Sequence, residues 1–342
     1  MRNQEWKTQL SKWQKIAQND GGMSAQSQIK KKSTKGRKPI VYSNEDLERD
    51  PFVMLIIGEM GVGKTFRTNL EIKYYMKDNP EKGKKGRKVL AFDTNGHDYP
   101  TFRTVSPNYI KALTKVAARR ILPFKKGGKA MSNIEKREVA EKIVNHFKNG
   151  LIVLDDTDSY MTGAKGQSLI GALTTVRHKG IDILFSHQSL GKVTTTQFQA
   201  CTWIRLHHQV DPVTKYKERI PNYSIVRIAQ LIVNEQYDLC SRAMDEGKFK
   251  TESEYKKQRS FFVYIDMRRR KVSGCTRAAY IRACKRFIDQ EEKSTIRMML
   301  NELDFYNKPI YKDRNAAIIK LISDYLRYHD DKILSPEYIR LS

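Results

Sequence analysis

The chain is poor in the residues that hold small secreted scaffolds together. Four cysteines occur in 342 residues, Cys201, Cys240, Cys275 and Cys284. None forms a Cys-x-x-Cys pair and no histidine lies at zinc-ligand spacing from them, so a disulfide framework and a structural zinc are not expected. They read as reduced thiols of a cytosol-like compartment. No run of about 18 apolar residues occurs, which argues against a membrane-spanning helix. The first residues, Met1 to Lys7, lack the apolar core of a signal peptide. No internal repeat is visible, and no Asn-Lys-x-Asp guanine signature follows the later strands. Acidic residues are scarce as well: 38 Asp and Glu stand against 64 Lys and Arg, a formal net charge of +26. A charge of that size leaves a strong positive field, and its natural partners are polyanions, whether DNA, RNA or an acidic membrane surface.

What is present divides into three regions. In 1–39, Trp6, Leu10, Trp13 and Ile16 are spaced by three and four as on an amphipathic helix, and the rings of Trp6 and Trp13 read as a packing stripe more than as a base-stacking platform. A basic arm follows, from Lys30 to Pro39, with the composition of a flexible linker. From 40 to 274 apolar strands alternate with helical patterns. Strands are expected at 52–57, 89–92, 151–154, 181–185, 202–206 and 261–265. Helices are expected at 64–78, 133–148 (with Ser132 or Asn133 as N-cap), 167–178 and 224–246. From 275 to 342 the pattern is helical. The alternation predicts an α/β fold with a mostly parallel sheet flanked by helices.

The strongest chemical signal is Gly58-Glu59-Met60-Gly61-Val62-Gly63-Lys64-Thr65, between an apolar strand and a helix. Three glycines let the backbone curl until its N–H groups face inward, and the helix that begins at Lys64 adds its positive end. This is a phosphate loop for ATP. The nucleotide-binding set is Gly58, Glu59, Met60, Gly61, Val62, Gly63, Lys64, Thr65 and Phe66. Lys64 is expected on the β- and γ-phosphates and the Thr65 hydroxyl on Mg²⁺. Asp155 and Asp156 end the strand at 151–154, where a carboxylate can hold Mg²⁺ while its neighbour polarises the attacking water; a solvated acidic turn is the plainer alternative. Gln188 follows the strand at 181–185, either as a γ-phosphate sensor or as a polar strand end. Arg177 precedes that strand, either as a cation at a helix C-terminus or as a finger reaching a neighbouring subunit's nucleotide. Asp93-Thr94-Asn95-Gly96-His97-Asp98 clusters metal-capable groups, but its spacing fits a turn better. Arg268 to Lys271 fits equally a basic hairpin turn and a phosphate contact.

These features resemble the HerA/FtsK superfamily of DNA-pumping ATPases, and within it the genome-packaging ATPases of tailless double-jelly-roll viruses and phages. The resemblance covers roughly residues 50 to 210. It rests on Gly58 to Thr65, on Leu151 to Asp156, and on the block from Val176-Arg177-His178 through Ile181 to His187-Gln188. It implies a RecA-like P-loop domain and a homo-oligomeric ring working on double-stranded DNA. It further implies Mg²⁺ held by Thr65 and Asp155, Gln188 as sensor and Arg177 acting in trans. A capsid or portal-vertex partner and a place in the host cytoplasm or on the virion follow from it too. The family's usual Asp-Glu is Asp155-Asp156 here, one methylene shorter. A second reading is an assembly ATPase of the zonular-occludens-toxin kind, which exports filamentous phage; that group typically carries a transmembrane segment. A third is a nucleotide-switched DNA-binding partition protein.

Overall fold

The computed structural model describes residues 51–80, 84–125, 127–161 and 179–330. The N-terminal helix and basic arm expected before residue 40, and the helix expected at 167–178 with Arg177, lie outside the described residues. Nine strands form one sheet: β1 (Val53–Ile57), β2 (Lys88–Phe92), β3 (Arg103–Thr104), β4 (Ala118–Ile121), β5 (Gly150–Leu154), β6 (Ile181–His187), β7 (Trp203–His207), β8 (Phe262–Asp266) and β9 (Lys271–Ser273). Their order is β3-β4-β2-β5-β6-β1-β7-β8-β9. Pairing is parallel from β3 across to β7 and antiparallel at β7–β8 and β8–β9.

The central strands read as unbroken apolar runs because both faces of the sheet are covered. Along β1 the side chains alternate between two cores. Val53, Leu55 and Ile57 join one cluster; Met54 and Ile56 join the other. The second cluster is closed by Ile72 and Tyr75 of helix α1 (Lys64–Met76). The first is closed by Ile143 and Val144 of α2 (Asn133–His146), and by one face of the 23-residue α4 (Tyr223–Asp245). Between them in sequence lies the short α3 (Thr195–Ala200). Ser132 caps α2 through a reciprocal pair with Glu135, as the Ser-x-x-Glu spacing predicts.

Beyond α4 come α5 (Glu252–Arg259), α6 (Arg277–Glu291), α7 (Lys293–Leu300) and α8 (Arg314–Leu326). Tyr280, Phe287 and Ile288 of α6 and Ala317 of α8 share the hydrophobic cluster of the sheet. Glu291 accepts from Arg227 at 3.0 Å and from Tyr223 at 2.6 Å, tying α6 to the start of α4. The basic run from Arg268 is the β8–β9 hairpin turn. Asp266 Oδ1 accepts the Arg268 and Arg269 N–H groups at 3.0 and 2.8 Å, and the three arginine side chains are exposed.

Two placements matter for the site. β6 lies between β1 and β5, so the strand leading to Gln188 separates the phosphate-loop strand from the strand leading to Asp155. All three run parallel, so their C-terminal ends open on one side of the sheet, where ligands of α/β proteins bind. Asp182, at the other end of β6, accepts the Phe52 N–H at 2.9 Å and the Tyr75 hydroxyl at 2.6 Å, clamping α1 to the sheet.

Candidate nucleotide site

The phosphate loop is shaped by close backbone approach. A Cβ on Gly58 would stand 2.6 Å from His207 Cβ and 3.2 Å from the His208 carbonyl oxygen. Gly61 and Gly63 take φ of 82° and 78°, the left-handed region that glycine enters without strain. The N–H groups of Gly58 and Glu59 are taken up by the His187 and His208 carbonyls, at 3.2 and 2.9 Å. Holding a phosphate is thereby left to residues 60 to 65 and the first turn of α1. Met60 and Phe66 project their side chains into solvent.

Lys64 folds back on its own loop, donating from Nζ to the carbonyls of Gly58 and of Glu59, the latter at 2.8 Å. Burial pushes its ammonium below the ordinary lysine range, against the pull of Asp155, Asp156 and Asp158. Those three carboxylates and the lysine therefore share one electrostatic neighbourhood.

Asp155 is buried. Its carboxylate accepts from the Tyr99 hydroxyl at 3.2 Å and from the Asp156 N–H at 3.0 Å. Burial, with the Asp98 charge behind it, raises its carboxyl to about 6. A desolvated carboxylate facing a lysine suits a hard cation that brings its own positive charge. Asp156 adopts φ 43°, a left-handed conformation that Asp tolerates better than most residues. The turn sends its side chain to Gln188, whose Nε2 donates to Asp156 Oδ1 at 2.9 Å. Asp158 anchors the other strand end, accepting from His187 Nδ1 at 2.7 Å and from the Gln188 N–H at 2.8 Å. Adjacent aspartates thus differ in setting: Asp155 is pinned and buried, Asp156 half-buried beside an amide.

The structure brings Lys64, Thr65, Asp155, Asp156 and Gln188 to one rim. β6 continues to His187, two residues beyond its expected end, and this carries Gln188 to Asp156. The cluster from Asp93 to Asp98 is a turn, with Asp93 accepting the Gly96 N–H at 2.8 Å and ion-paired to Arg120 at 2.9 Å.

Several supporting residues carried no sequence signal. Arg205 of β7 is fully buried; it reaches Glu71 at 2.6 Å and donates to the Lys64 carbonyl at 3.0 Å and the Thr68 hydroxyl at 2.7 Å. The Tyr264 hydroxyl also bonds Glu71. Tyr99, Asp158, His208 and Arg259 were unmarked too. Each sits in ordinary-looking sequence, and only a polar residue inside an apolar strand, as in Trp203-Ile204-Arg205-Leu206, could have drawn attention to Arg205.

A family model for zonular occludens toxin (Zot) matches residues 52–230, just over half of the chain, and this span holds the phosphate loop, Asp155, Asp156 and Gln188. The chain belongs to the Zot family. Its fold is that of a P-loop NTPase. Among solved structures it is similar to the genome packaging NTPase B204 of Sulfolobus turreted icosahedral virus 2 in complex with ATP-gammaS, at 14% identity and a TM-score of 0.40, over 65% of this chain and 95% of that one. It is also similar to the N-terminal domain of zonular occludens toxin from Neisseria meningitidis, at 19% identity and a TM-score of 0.30, over 46% of this chain and 76% of that one. No curated protein matches. Among the described residues no helix is long and apolar enough to cross a membrane, a segment the Zot kind was expected to carry.

Proposed function

We propose that this protein is an ATP-driven motor of phage assembly, which hydrolyses ATP at the Gly58–Thr65 loop and uses the cycle to move DNA. The observation that carries the reading is the convergence of Lys64, Asp155, Asp156 and Gln188 on the C-terminal ends of three adjacent parallel strands. Lys64 exchanges two backbone carbonyls for phosphate oxygens. Thr65 and Asp155 would hold Mg²⁺, which supplies neutralisation of phosphate charge when bound. Asp156 takes the proton of the attacking water, and Gln188 fixes Asp156 through one oxygen, leaving the other for that water.

Coupling to DNA is supported by charge. Between Asp98 and Glu135 the chain has eight Lys and Arg and no acidic residue, and this stretch includes β3 and β4 at one edge of the sheet. The arm before residue 39 adds a second basic segment. Family membership favours assembly and export of phage DNA. Packaging of a double-stranded genome through a portal vertex is the second reading, favoured by the resemblance of the block from Arg177 to Gln188. In both, subunits form a homo-oligomeric ring in the host cytoplasm, and Arg177 completes the neighbour's site.

ATP turnover measured without DNA, with single-stranded DNA and with double-stranded DNA tests this. A motor is stimulated several-fold by one of the two. Nucleotide binding with no turnover under any condition would replace the motor by a switch. Mixing Arg177→Ala with Lys64→Ala subunits, each inactive alone, should restore some turnover if Arg177 acts across a subunit boundary.

A further inference from the structure

Glu59 is an acidic residue inside a loop built for anions, and its side chain is held by two residues from outside the loop. Its Oε1 accepts from His208 Nδ1 at 3.0 Å and from Arg259 Nη2 at 3.2 Å. Arg259 is the last residue of α5, two hundred positions along the chain. Its Nη2 also donates to the Tyr237 hydroxyl at 2.6 Å, and its guanidinium lies 4.9 Å from the centre of that ring. The His208 ring stacks on the same tyrosine at 3.5 Å and 8°. Arg259 is therefore held at the loop by an aromatic face and a hydroxyl, independently of Glu59.

Two further facts point from Arg259 to the phosphates. Its Nε is buried and finds no acceptor among the described residues. Arg205 Nε shares that condition but is sealed at 0% exposure, whereas the Arg259 side chain is 29% exposed and has room to turn toward an acceptor. The following residue, Ser260, lies against the glycine that opens α1: a Cβ on Gly63 would stand 2.6 Å from Ser260 Oγ. The end of α5 thus packs on the glycine that precedes Lys64, beside the N–H groups that face a bound anion.

We propose that Arg259 is a phosphate-binding residue of the same subunit, which turns from the Glu59 carboxylate to the phosphate chain of the bound nucleotide. The inference rests on the loop's being a nucleotide site. A phosphate offers several charged oxygens, two of which at a time meet the planar guanidinium fork, so it competes well with a single carboxylate oxygen. His208 stays on Glu59 and keeps its Oε1 hydrogen-bonded after Arg259 leaves.

The test is a double-mutant cycle read by equilibrium binding of mant-ATP and mant-ADP, with thermal unfolding of each variant as the control for fold. Wild type should bind and Lys64→Ala should not; no binding by wild type would overturn both this inference and the nucleotide reading. Given binding by wild type, Arg259→Ala should weaken it about 10- to 100-fold, the loss of a charge-assisted hydrogen bond. Arg259→Gln, which keeps the stem, should do the same and serves if the alanine variant is unstable. The loss should persist when Glu59→Gln is added. Full recovery in the double variant would show that Arg259 only neutralises Glu59 and would overturn the proposal. Unchanged affinity in both Arg259 variants would overturn it too.

Discussion

The two flanks of the phosphate loop are built on opposite plans. On one side stand the acidic strand ends: Asp155, Asp156 and Asp158 within four residues of one chain segment, with Gln188 beside them. On the other stand Arg205, His208 and Arg259, brought from β7, from the residue just after it and from α5, and bonded to Glu71 and Glu59. The acidic flank has hydrogen bonds that orient its carboxylates, while the Asp155 oxygens, bonded to the Tyr99 hydroxyl and the Asp156 N–H, keep lone pairs for a metal and Asp156 Oδ2 takes no bond among the described residues. On the basic flank Arg205 is fully buried and its partners are backbone, hydroxyl and carboxylate groups that hold α1 in place. Chemistry needs groups with capacity to change partners; a scaffold needs groups with none. Arg259, partly exposed where Arg205 is sealed, is the member of the basic flank that breaks this division.

The division can be broken by mutation. Lys64→Ala, at the junction of the flanks, should reduce ATP turnover to background while circular dichroism stays unchanged, because its ammonium bonds only loop carbonyls. Wild-type turnover in the folded variant would remove the site from this loop. On the acidic flank, Asp156→Asn should lower kcat about 10²- to 10⁴-fold with nucleotide affinity kept, as for a base acting in the transition state. Asp155→Asn should instead raise the Kd for Mg²⁺-ATP. Equal losses of affinity at both positions would show that the two carboxylates share one job.

On the basic flank the expected effect is on folding. Arg205→Met takes from buried Glu71 the closer of its two ion partners, leaving Arg67 at 3.5 Å, and should destabilise the protein by up to about 3–5 kcal/mol, read as a fall in the denaturant midpoint. Adding Glu71→Met should recover most of it. A single variant as stable as wild type would mean that the buried pair does not hold the helix. The smallest effect is expected at Gln188→Ala, about tenfold in kcat, since Gln188 acts through Asp156 at 2.9 Å. A loss as large as that of Asp156→Asn would assign Gln188 a direct contact with the reacting phosphate.

Much of this was legible before the fold. The strands at 53–57, 88–92, 150–154 and 203–207 appear as apolar runs because both sheet faces are buried, and their ends fall within a residue or two of expectation. The edge strands β3 and β4 and the short β9 escaped notice. Arg103-Thr104 and Ala118-Arg119-Arg120-Ile121 are too short and too polar to show a period, and pairing with a neighbour is what makes them strands. Helix α5 has no buried residue, so no apolar stripe marked it.

The sequence by itself determined the phosphate loop, the lysine and threonine that open α1, and the pair of aspartates after β5. Their chemistry depends on contiguous residues and on local backbone geometry, which glycine and strand-to-helix junctions encode directly. Only the tertiary structure decided that β6 lies between β1 and β5 and so delivers Gln188 to Asp156. It alone set Arg205 under α1 and Arg259 against Glu59, across separations of 137 and 200 residues. Strand order and the docking of distant helices follow from burying two faces of one sheet at once, a condition on the whole chain that no local run of residues carries.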